Sequence, residues 1–415
     1  MTIEFNLVQT IGFAVLLLVI GRYVRKHVNF FERFAIPAPV IGGFAFAIIN
    51  LFLKMGNVVE IKFDTTLQSF FMIIFFTSIG YGASVKILKS AGPKVILFLV
   101  VASVLCIFQN AVAVILSKAI KFDPILGLMT GSTPMTGGHG TSGGIAPLVE
   151  AAGFTGAETI AFASATFGLL AGSLMGGPLA NHLIMKKNLL NKRDPMEQQE
   201  LDVAAQGALE TTVRPLNGDR ILRAFFALLI VMFLGSYISE FLNSIVAKFT
   251  DLASFPAYIG PMLLAILLRY ISDSHLNAEG DGFLPTEEIE IVGNVGLNLF
   301  LAMALMTLDL IQLREFVGQM GLLLLAQTIL MAIFAYFVTF KVMGGTYDAA
   351  VIAGGHCGFG MGATPNGVAN MESITEKFVP SKTAFFVVPI VGGMFIDFAN
   401  VFIIILFMTF LGAGV

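Results

Sequence analysis

Apolar and polar positions along this chain fall into long blocks rather than the short periods of a surface strand or an amphipathic helix. Charge-free apolar runs such as Phe34 to Leu53, Thr65 to Val85, Val95 to Ser117 and Phe316 to Phe340 each approach the ~20 residues with which an α-helix crosses a bilayer. The blocks predict ten full spans, near residues 5–24, 35–53, 66–85, 95–117 and 159–185, and after a polar interval near 221–246, 254–270, 290–308, 316–340 and 383–411. Two further stretches, Pro124 to Val149 and Ala349 to Met371, are uncharged but dense in glycine. Each reads as a re-entrant hairpin lying before the last span of its half.

The two halves echo one another. Phe154, Thr159, Phe162 and Gly168 recur as Phe378, Thr383, Phe386 and Gly392, all displaced by 224 residues. Upstream, Ile36-Pro37-Ala38 answers Phe255-Pro256-Ala257, and Phe122-Asp123 answers Tyr347-Asp348. The chain therefore divides into a first repeat over residues 1–185, a linker over 186–220 and a second repeat over 221–415. Five spans per repeat is an odd number, so the second copy enters the membrane with the opposite orientation. The fold expected is an all-α polytopic membrane protein made of two inverted repeats, each of five transmembrane helices and one re-entrant hairpin. Such repeats mark secondary transporters, with the site at the midplane between the halves.

Composition agrees with a chain that needs lipid as its solvent: 56% of residues are apolar and 12% charged, with a mean hydropathy of +0.87, against about 25% charged in soluble domains. A nucleic-acid binder is excluded, because no basic cluster sits on a soluble surface. Eighteen of the 24 lysines and arginines fall in the loops of one side, among them Arg22, Arg25, Lys26, Arg33, Lys86, Lys89 and Lys94. The bias of basic residues toward the cytoplasm then sets both termini outside and the linker inside. No basic region precedes the first apolar block, the reverse of a cleavable signal peptide, so that block is expected to stay as a helix. Cys106 lies in a span and Cys357 in a glycine-rich stretch, and no disulfide framework follows from them.

Seven glycines stand between residues 124 and 149 and six between 349 and 371, too many for helix packing alone to explain. Glycine at that density breaks a helix. A broken helix at membrane depth leaves amides and carbonyls unpaired, at several kcal/mol per group. A cavity holding water, ions or a polar solute satisfies them, since exposed amides and helix N-termini suit carboxylates and exposed carbonyls suit sodium. Gly358, Gly360 and Gly362 do not make a nucleotide loop, because no Lys-Ser/Thr follows them and no soluble strand precedes.

Asp397 is the one carboxylate well inside an expected span. Placing it there costs about 2.5–3.5 kcal/mol on insertion scales. It is read as ligating or balancing a sodium ion, with Asn400 one turn away on the same face; the plainer reading is a protonated aspartate bonded to a neighbouring helix. His139 and His356 lack the second histidine or carboxylate that a metal site needs, so neutral hydrogen bonding is expected of them, and Cys357 beside His356 is no nucleophile pair. Gln109, Asn110, Gln327 and Thr328 lie mid-span and are expected to bond between helices. Asp309 lies at a span boundary. No His-Glu-x-x-His pair, Gly-x-Ser-x-Gly elbow or paired intramembrane aspartates point to an enzyme, and a passive anion channel lacks the repeated ring of charges a selective pore uses.

At the two loops the chain resembles the sodium/glutamate symporter family. The likeness rests on Thr136-Gly137-Gly138-His139-Gly140-Thr141 and on the run from Ala353 through Gly354-Gly355-His356-Cys357-Gly358-Phe359-Gly360-Met361-Gly362-Ala363-Thr364 to Pro365. It continues through Tyr347-Asp348-Ala349-Ala350, Phe385-Phe386-Val387-Val388-Pro389, Phe395-Ile396-Asp397 and Leu299 to Met306, and only the linker from Lys187 to Asp219 and the extreme termini depart from it. The resemblance implies a carrier of L-glutamate driven by sodium in a bacterial inner membrane. It also implies a homodimer in which a transport domain moves against a scaffold in elevator fashion, with sodium as coupling ion and no cofactor.

No arginine lies mid-span to meet a dicarboxylate. Recognition therefore falls to amides, hydroxyls and histidines of the two hairpins: Ser132, Thr133, Thr136, Gly137, Gly138, His139, Gly140, Thr141, His356, Gly358, Gly360, Thr364 and Asn366. Sodium is expected at Asp397 and Asn400. Another dicarboxylate or acidic amino acid stays open as the solute. The first two spans of each half are expected to form the scaffold and the last three, with the hairpins, the moving part.

Overall fold

The computed structural model describes residues 2–33, 36–56, 59–82, 92–192, 217–246, 256–274, 284–308 and 310–412. Asp309, Lys86, Lys89, Phe255 and residues 193–216 of the linker lie outside the described residues. The chain opens on a strand, β1 (Thr2–Phe5), followed by α1 (Leu7–His27), α2 (Ala38–Met55), β2 (Glu60–Phe63), α3 (Thr66–Gly82), α4 (Pro93–Ala119), a one-turn helix α5 (Pro124–Leu128), α6 (Gly138–Ala151) and α7 (Ala157–Lys187). The second half has α8 (Gly218–Val246), α9 (Ile259–Ser274), α10 (Thr286–Met306), α11 (Leu310–Ile333), α12 (Tyr347–Gly360), α13 (Thr364–Lys377), α14 (Lys382–Ile390) and α15 (Ile396–Leu411). A π-helical turn, Phe334–Thr339, extends α11, and a second, Val391–Phe395, joins α14 to α15.

Local chemistry sets the helix ends. Asn6 and Gln9 form a reciprocal capping box on α1, each side chain accepting the other's backbone N–H at 3.0 Å, which satisfies donors the first turn leaves open. Gly92 at φ 77 turns the chain into Pro93 at the start of α4, where a missing N–H costs nothing. Asp123 caps α5 through Ile125 N and Leu126 N, at 2.8 and 3.3 Å.

Eight of the described helices are long and apolar enough to cross a membrane, and they coincide with eight of the ten expected spans. The other two are helices as well but short: α3 is apolar with 17 residues, and α9 has 16. Both border undescribed residues. The parallel pairing of β1 with β2, Thr2 opposite Glu60 through Phe5 opposite Phe63, was not foreseen, because four-residue strands beside apolar helices leave no usable period.

The polarity of the fold is inverted relative to a protein in water. Phe410 is 82% exposed, while Gln109, Asn110, Ser132, His356 and Asn400 are fully buried. Surface this apolar is covered only by lipid.

Helices α1, α2, α3, α8, α9 and α10 pack as one group, and α4 to α7 with α11 to α15 as another. The third span of each half thus joins the first two, and the expected division of two spans against three is corrected to three against two. Close backbone approach is the cause. Gly293 and Gly296 of α10 leave room for Ser78, Phe71 and Ile74 of α3, and Gly80 of α3 lets in Met262 and Ala265 of α9. At the edge of this group Arg220 holds Glu288 through two nitrogens, at 2.6 and 3.2 Å, joining the starts of α8 and α10, the paired geometry that makes arginine–carboxylate bonds strong.

Inside the second group, Gly168, Gly172 and Gly176 form a small-residue ridge on α7. Against it lie the carbonyls of Gly354, Cys357, Gly358 and Met361 at the end of α12, the close contact small residues permit between membrane helices. Gly177 faces open space. Gly176→Ala is therefore expected to lower stability by ~1–3 kcal/mol through overpacking, while Gly177→Ala is neutral or slightly stabilising; thermal unfolding of the two variants in one detergent checks the contrast, and equal melting temperatures would remove the ridge.

Candidate functional site

Both glycine-rich stretches are interrupted helices, but in different ways. In the first, α5 gives out at Leu128, and residues 129–137 run in tight non-α turns until α6 begins at Gly138. The second stays helical through Gly354, Gly355, Gly358 and Gly360, and breaks only at residues 361–363 before α13 starts at Thr364. Expecting a break across the whole second run was too broad. Gly358 serves close packing, because a Cβ there would lie 2.6 Å from the Asn366 carbonyl oxygen.

The two breaks meet. Gly138 has φ +59, and a Cβ on it would sit 2.6 Å from the Gly362 carbonyl oxygen; only glycine meets both demands. The N-terminal ends of α6 and α13, whose first N–H groups have no intrahelical acceptor, therefore come together at the contact between the tips.

Amide side chains from the neighbouring helices hold the broken backbone. Gln109 of α4 donates from Nε2 to the Gly360 carbonyl at 2.7 Å, and its Oε1 accepts from Thr136 Oγ1 at 2.7 Å. One residue on, Asn110 Oδ1 accepts the Ser132 N–H at 2.8 Å. Gln327 of α11 donates to the Gln109 carbonyl at 2.8 Å. From the far side Asn400 of α15 donates Nδ2 to the Ser132 carbonyl at 3.0 Å. One loop residue, Ser132, thus has its N–H and its C=O taken by two different helices.

Several polar atoms stay buried with no partner: Ser132 Oγ, Thr133 Oγ1, Asn400 Oδ1, Gln327 Oε1 and Asn110 Nδ2. Each costs about 1–3 kcal/mol if left so. Asp397 lies in the first turn of α15, directly after the π-helical turn, and among the described residues no hydrogen bond or ion pair reaches its carboxylate. It is one turn from Asn400 and within electrostatic reach of Cys106 and Tyr258. The set is rich in oxygen, the donor type hard cations take. Among the described residues no group of three or more histidine, cysteine or carboxylate side chains could hold a metal ion, and both cysteines are free and buried.

The structure brings together Ser132, Thr133, Thr136, Gly138, Gly360 and Asn400, and Gly137 stands at the start of α6 beside Thr141. Other expected residues face elsewhere. His139 bonds Thr166 Oγ1 at 3.0 Å, and Gly140 lies against the Phe75 ring. His356 bonds Thr339 Oγ1 through Nδ1 at 2.9 Å, with the rings of Phe98, Phe334 and Phe359 around it. Asn366 donates to Leu169 O and Ser173 Oγ of α7, at 3.0 and 2.8 Å, and Thr364 lies beside Gly392 of the second π turn. The clamp by Gln109, Asn110 and Gln327 was read only as bonding between helices. Its signal was available, since two mid-span amides stand 218 residues apart, close to the displacement of the repeat. The π-helical turns left no mark in the sequence.

Comparison with known proteins agrees with this site. The family described as "Sodium/glutamate symporter" matches residues 3–380. The chain is 37% identical over 406 residues to the sodium/glutamate symporter of Escherichia coli (strain K12), with 98% of each chain covered. It is 35% identical over 403 residues to the protein of that name from Haemophilus influenzae, with 96% of each covered. The solved sodium proton antiporter of Methanocaldococcus jannaschii aligns over 98% of both chains at a TM-score of 0.43 and 14% identity, too distant a likeness to bear on the fold. With residues 3–380 matched and relatives above 30% identity over nearly all of its length, this multi-pass membrane protein belongs to the sodium/glutamate symporter family, a family of transporters and not of enzymes.

Proposed function

We propose that the protein couples inward movement of sodium to uptake of L-glutamate through the site where the two hairpin tips meet. The observation that carries this reading is the contact of two broken helices inside a buried pocket whose hydroxyl and amide oxygens lack partners. In this reading Asp397, Asn400 Oδ1 and the hydroxyls of Ser132 and Thr133 hold sodium. The glutamate carboxylates bind the N-terminal amides of α6 and α13, where the helix dipoles favour negative charge. No arginine or lysine forms part of the site, so the bound cation supplies the positive charge the anion needs. Sodium then raises the affinity for glutamate, and glutamate raises that for sodium by the same factor.

The two-repeat architecture belongs to the same proposal. It is supported by corresponding packing in the halves, with α1 on α2 as α8 on α9, and α2 on α10 as α9 on α3. Movement of the second group against the first is supported by their seam, where Gly140, Gly143 and Gly144 of α6 lie against the rings of Phe75, Phe76, Tyr258 and Phe300. A glycine face offers few side chains to interlock, which suits sliding in an elevator. A homodimer joined through the first group, in a bacterial inner membrane with both termini outside and the linker inside, completes the reading, and the distribution of lysine and arginine supports that orientation.

Purified protein in liposomes is expected to accumulate labelled glutamate saturably under an inward sodium gradient and not without one. No gradient-driven uptake of glutamate, aspartate or any other acidic solute would overturn the symport reading, and non-saturable flux in both directions would favour a channel. Asp397→Asn is expected to raise the sodium concentration for half-maximal uptake by about tenfold or more, the equivalent of ~1.4 kcal/mol. Unchanged sodium dependence removes Asp397 from the ion site. Asn110→Ala leaves the Ser132 N–H without its acceptor, a loss of ~1–3 kcal/mol, and is expected to raise KM for glutamate between about fivefold and a hundredfold in protein that still elutes as a single folded species.

A further inference from the structure

Away from the hairpin site, the surface of the second helix group carries an open groove of about 650 Å3 between α7 and the end of α11 with its π turn. Both walls are locally distorted. Pro178 interrupts the hydrogen-bond ladder of α7, and the π-helical turn Phe334–Thr339 widens the facing helix. The floor is apolar, formed by Met175, Leu179, Ala332 and Ile333.

One end of the groove differs from its floor. There His182, Lys186 and Tyr336 line it, with the His182 and Tyr336 rings 5.9 Å apart. No carboxylate lines the groove. Among the described residues Lys186 has neither a hydrogen bond nor an ion pair, and no hydrogen bond reaches the His182 ring or the Tyr336 hydroxyl. The positive charge at this end extends further: Lys187 lies over the Phe340 ring at 5.3 Å and Lys341 over the Phe337 ring at 5.9 Å. Lys377 bonds Asn181 at 2.8 Å next to His182.

An apolar trough about as wide as a hydrocarbon chain, ending in a cation and two hydrogen-bonding groups without partners, has the chemistry of a bound amphiphile with a negative head. We infer that the groove is a binding site for one anionic phospholipid, its acyl chain along Met175, Leu179, Ala332 and Ile333 and its phosphate at Lys186, His182 and Tyr336. Basic pockets between membrane helices recognise anionic headgroups in this way. An uncharged stretch of lipid-facing surface would fit any lipid; charge complementarity at the head end selects phosphatidylglycerol over phosphatidylcholine. The occupant would press on α7, whose adjacent face holds α12 through the glycine ridge, so it would brace the helix that carries the second hairpin. The inference does not depend on which solute the protein carries.

The test uses full-length protein in detergent, titrated separately with phosphatidylglycerol and phosphatidylcholine, with bound lipid counted by native mass spectrometry and stability followed by thermal unfolding. Phosphatidylglycerol is expected to be retained at one molecule per chain and to raise the melting temperature at concentrations where phosphatidylcholine does not. Lys186→Gln is expected to weaken that preference about fivefold, the contribution of one basic side chain at a membrane surface. Ile333→Trp, a change at an exposed position that fills the trough without touching the charge, is expected to abolish retention. Equal retention of the two lipids overturns the inference, as does a preference that survives both variants. Protection by glycerol 3-phosphate at the same concentration would also overturn it, since the site would then be one for free anions.

Discussion

Unpaired backbone inside a membrane is the constraint on which this structure turns. Water is not there to satisfy an amide or a carbonyl, so every residue that leaves helical geometry must find a partner from the protein or from a guest. Residues 129–137 and 361–363 leave it, and the surrounding helices answer with amide side chains. Gln109 takes the carbonyl at the end of α12, Asn110 and Asn400 take the two backbone groups of Ser132, and Asn370 bonds the carbonyls of Gly172 and Gly354 at 3.0 and 3.2 Å. Primary amides suit this task because each carries a donor and an acceptor on one short stem. What they leave unsatisfied is grouped: hydroxyl and amide oxygens beside a carboxylate that no cation in the chain reaches. A site that is incomplete by itself is one that a small cation and an anion can complete together.

Glycine plays two separate parts in the same segments. At Gly138 it permits a positive φ and lets the opposite tip approach, so it makes the break. In Gly354 and Gly358, and in the ridge on α7, it sits within regular helix and shortens the distance between helices. The second use stabilises the first. Hairpin limbs that pack closely against α7 hold their tips in place even though the tips have no regular structure of their own.

The same residue type shapes the boundary between the two helix groups, with a different partner. Glycines of α6 meet aromatic rings there, Phe76 and Tyr258 stacked at 3.9 Å among them, where elsewhere glycine meets backbone. Rings against a flat backbone give apolar contact without side-chain interlock. The scaffold group, in contrast, is tied by close approach of α3 to α10 and by the two-point pairing of Arg220 with Glu288. One region of the molecule is therefore bound tightly and another is bound across a smooth face.

Much of this was legible in the chain alone. Span length follows from bilayer thickness and apolar composition, which are properties of contiguous residues, so α1, α2, α4, α7, α8, α10, α11 and the α14–α15 span appear within a few residues of where they were expected. The need for breaks near residues 131–144 and 354–366 follows from glycine density, and the unusual standing of Asp397 from the cost of a carboxylate in lipid. Tertiary structure alone decided how far each break extends, because helix 354–360 survives only where α7 accepts its glycines. It alone decided that α3 and α10 join the first group, that His356 turns to Thr339 and not to the tips, and that Gln109 spans 251 residues of sequence to reach Gly360. Those outcomes depend on which surfaces approach closely enough to exclude a Cβ or to offer a hydrogen bond. Packing between distant segments settles that, and no local run of residues encodes it.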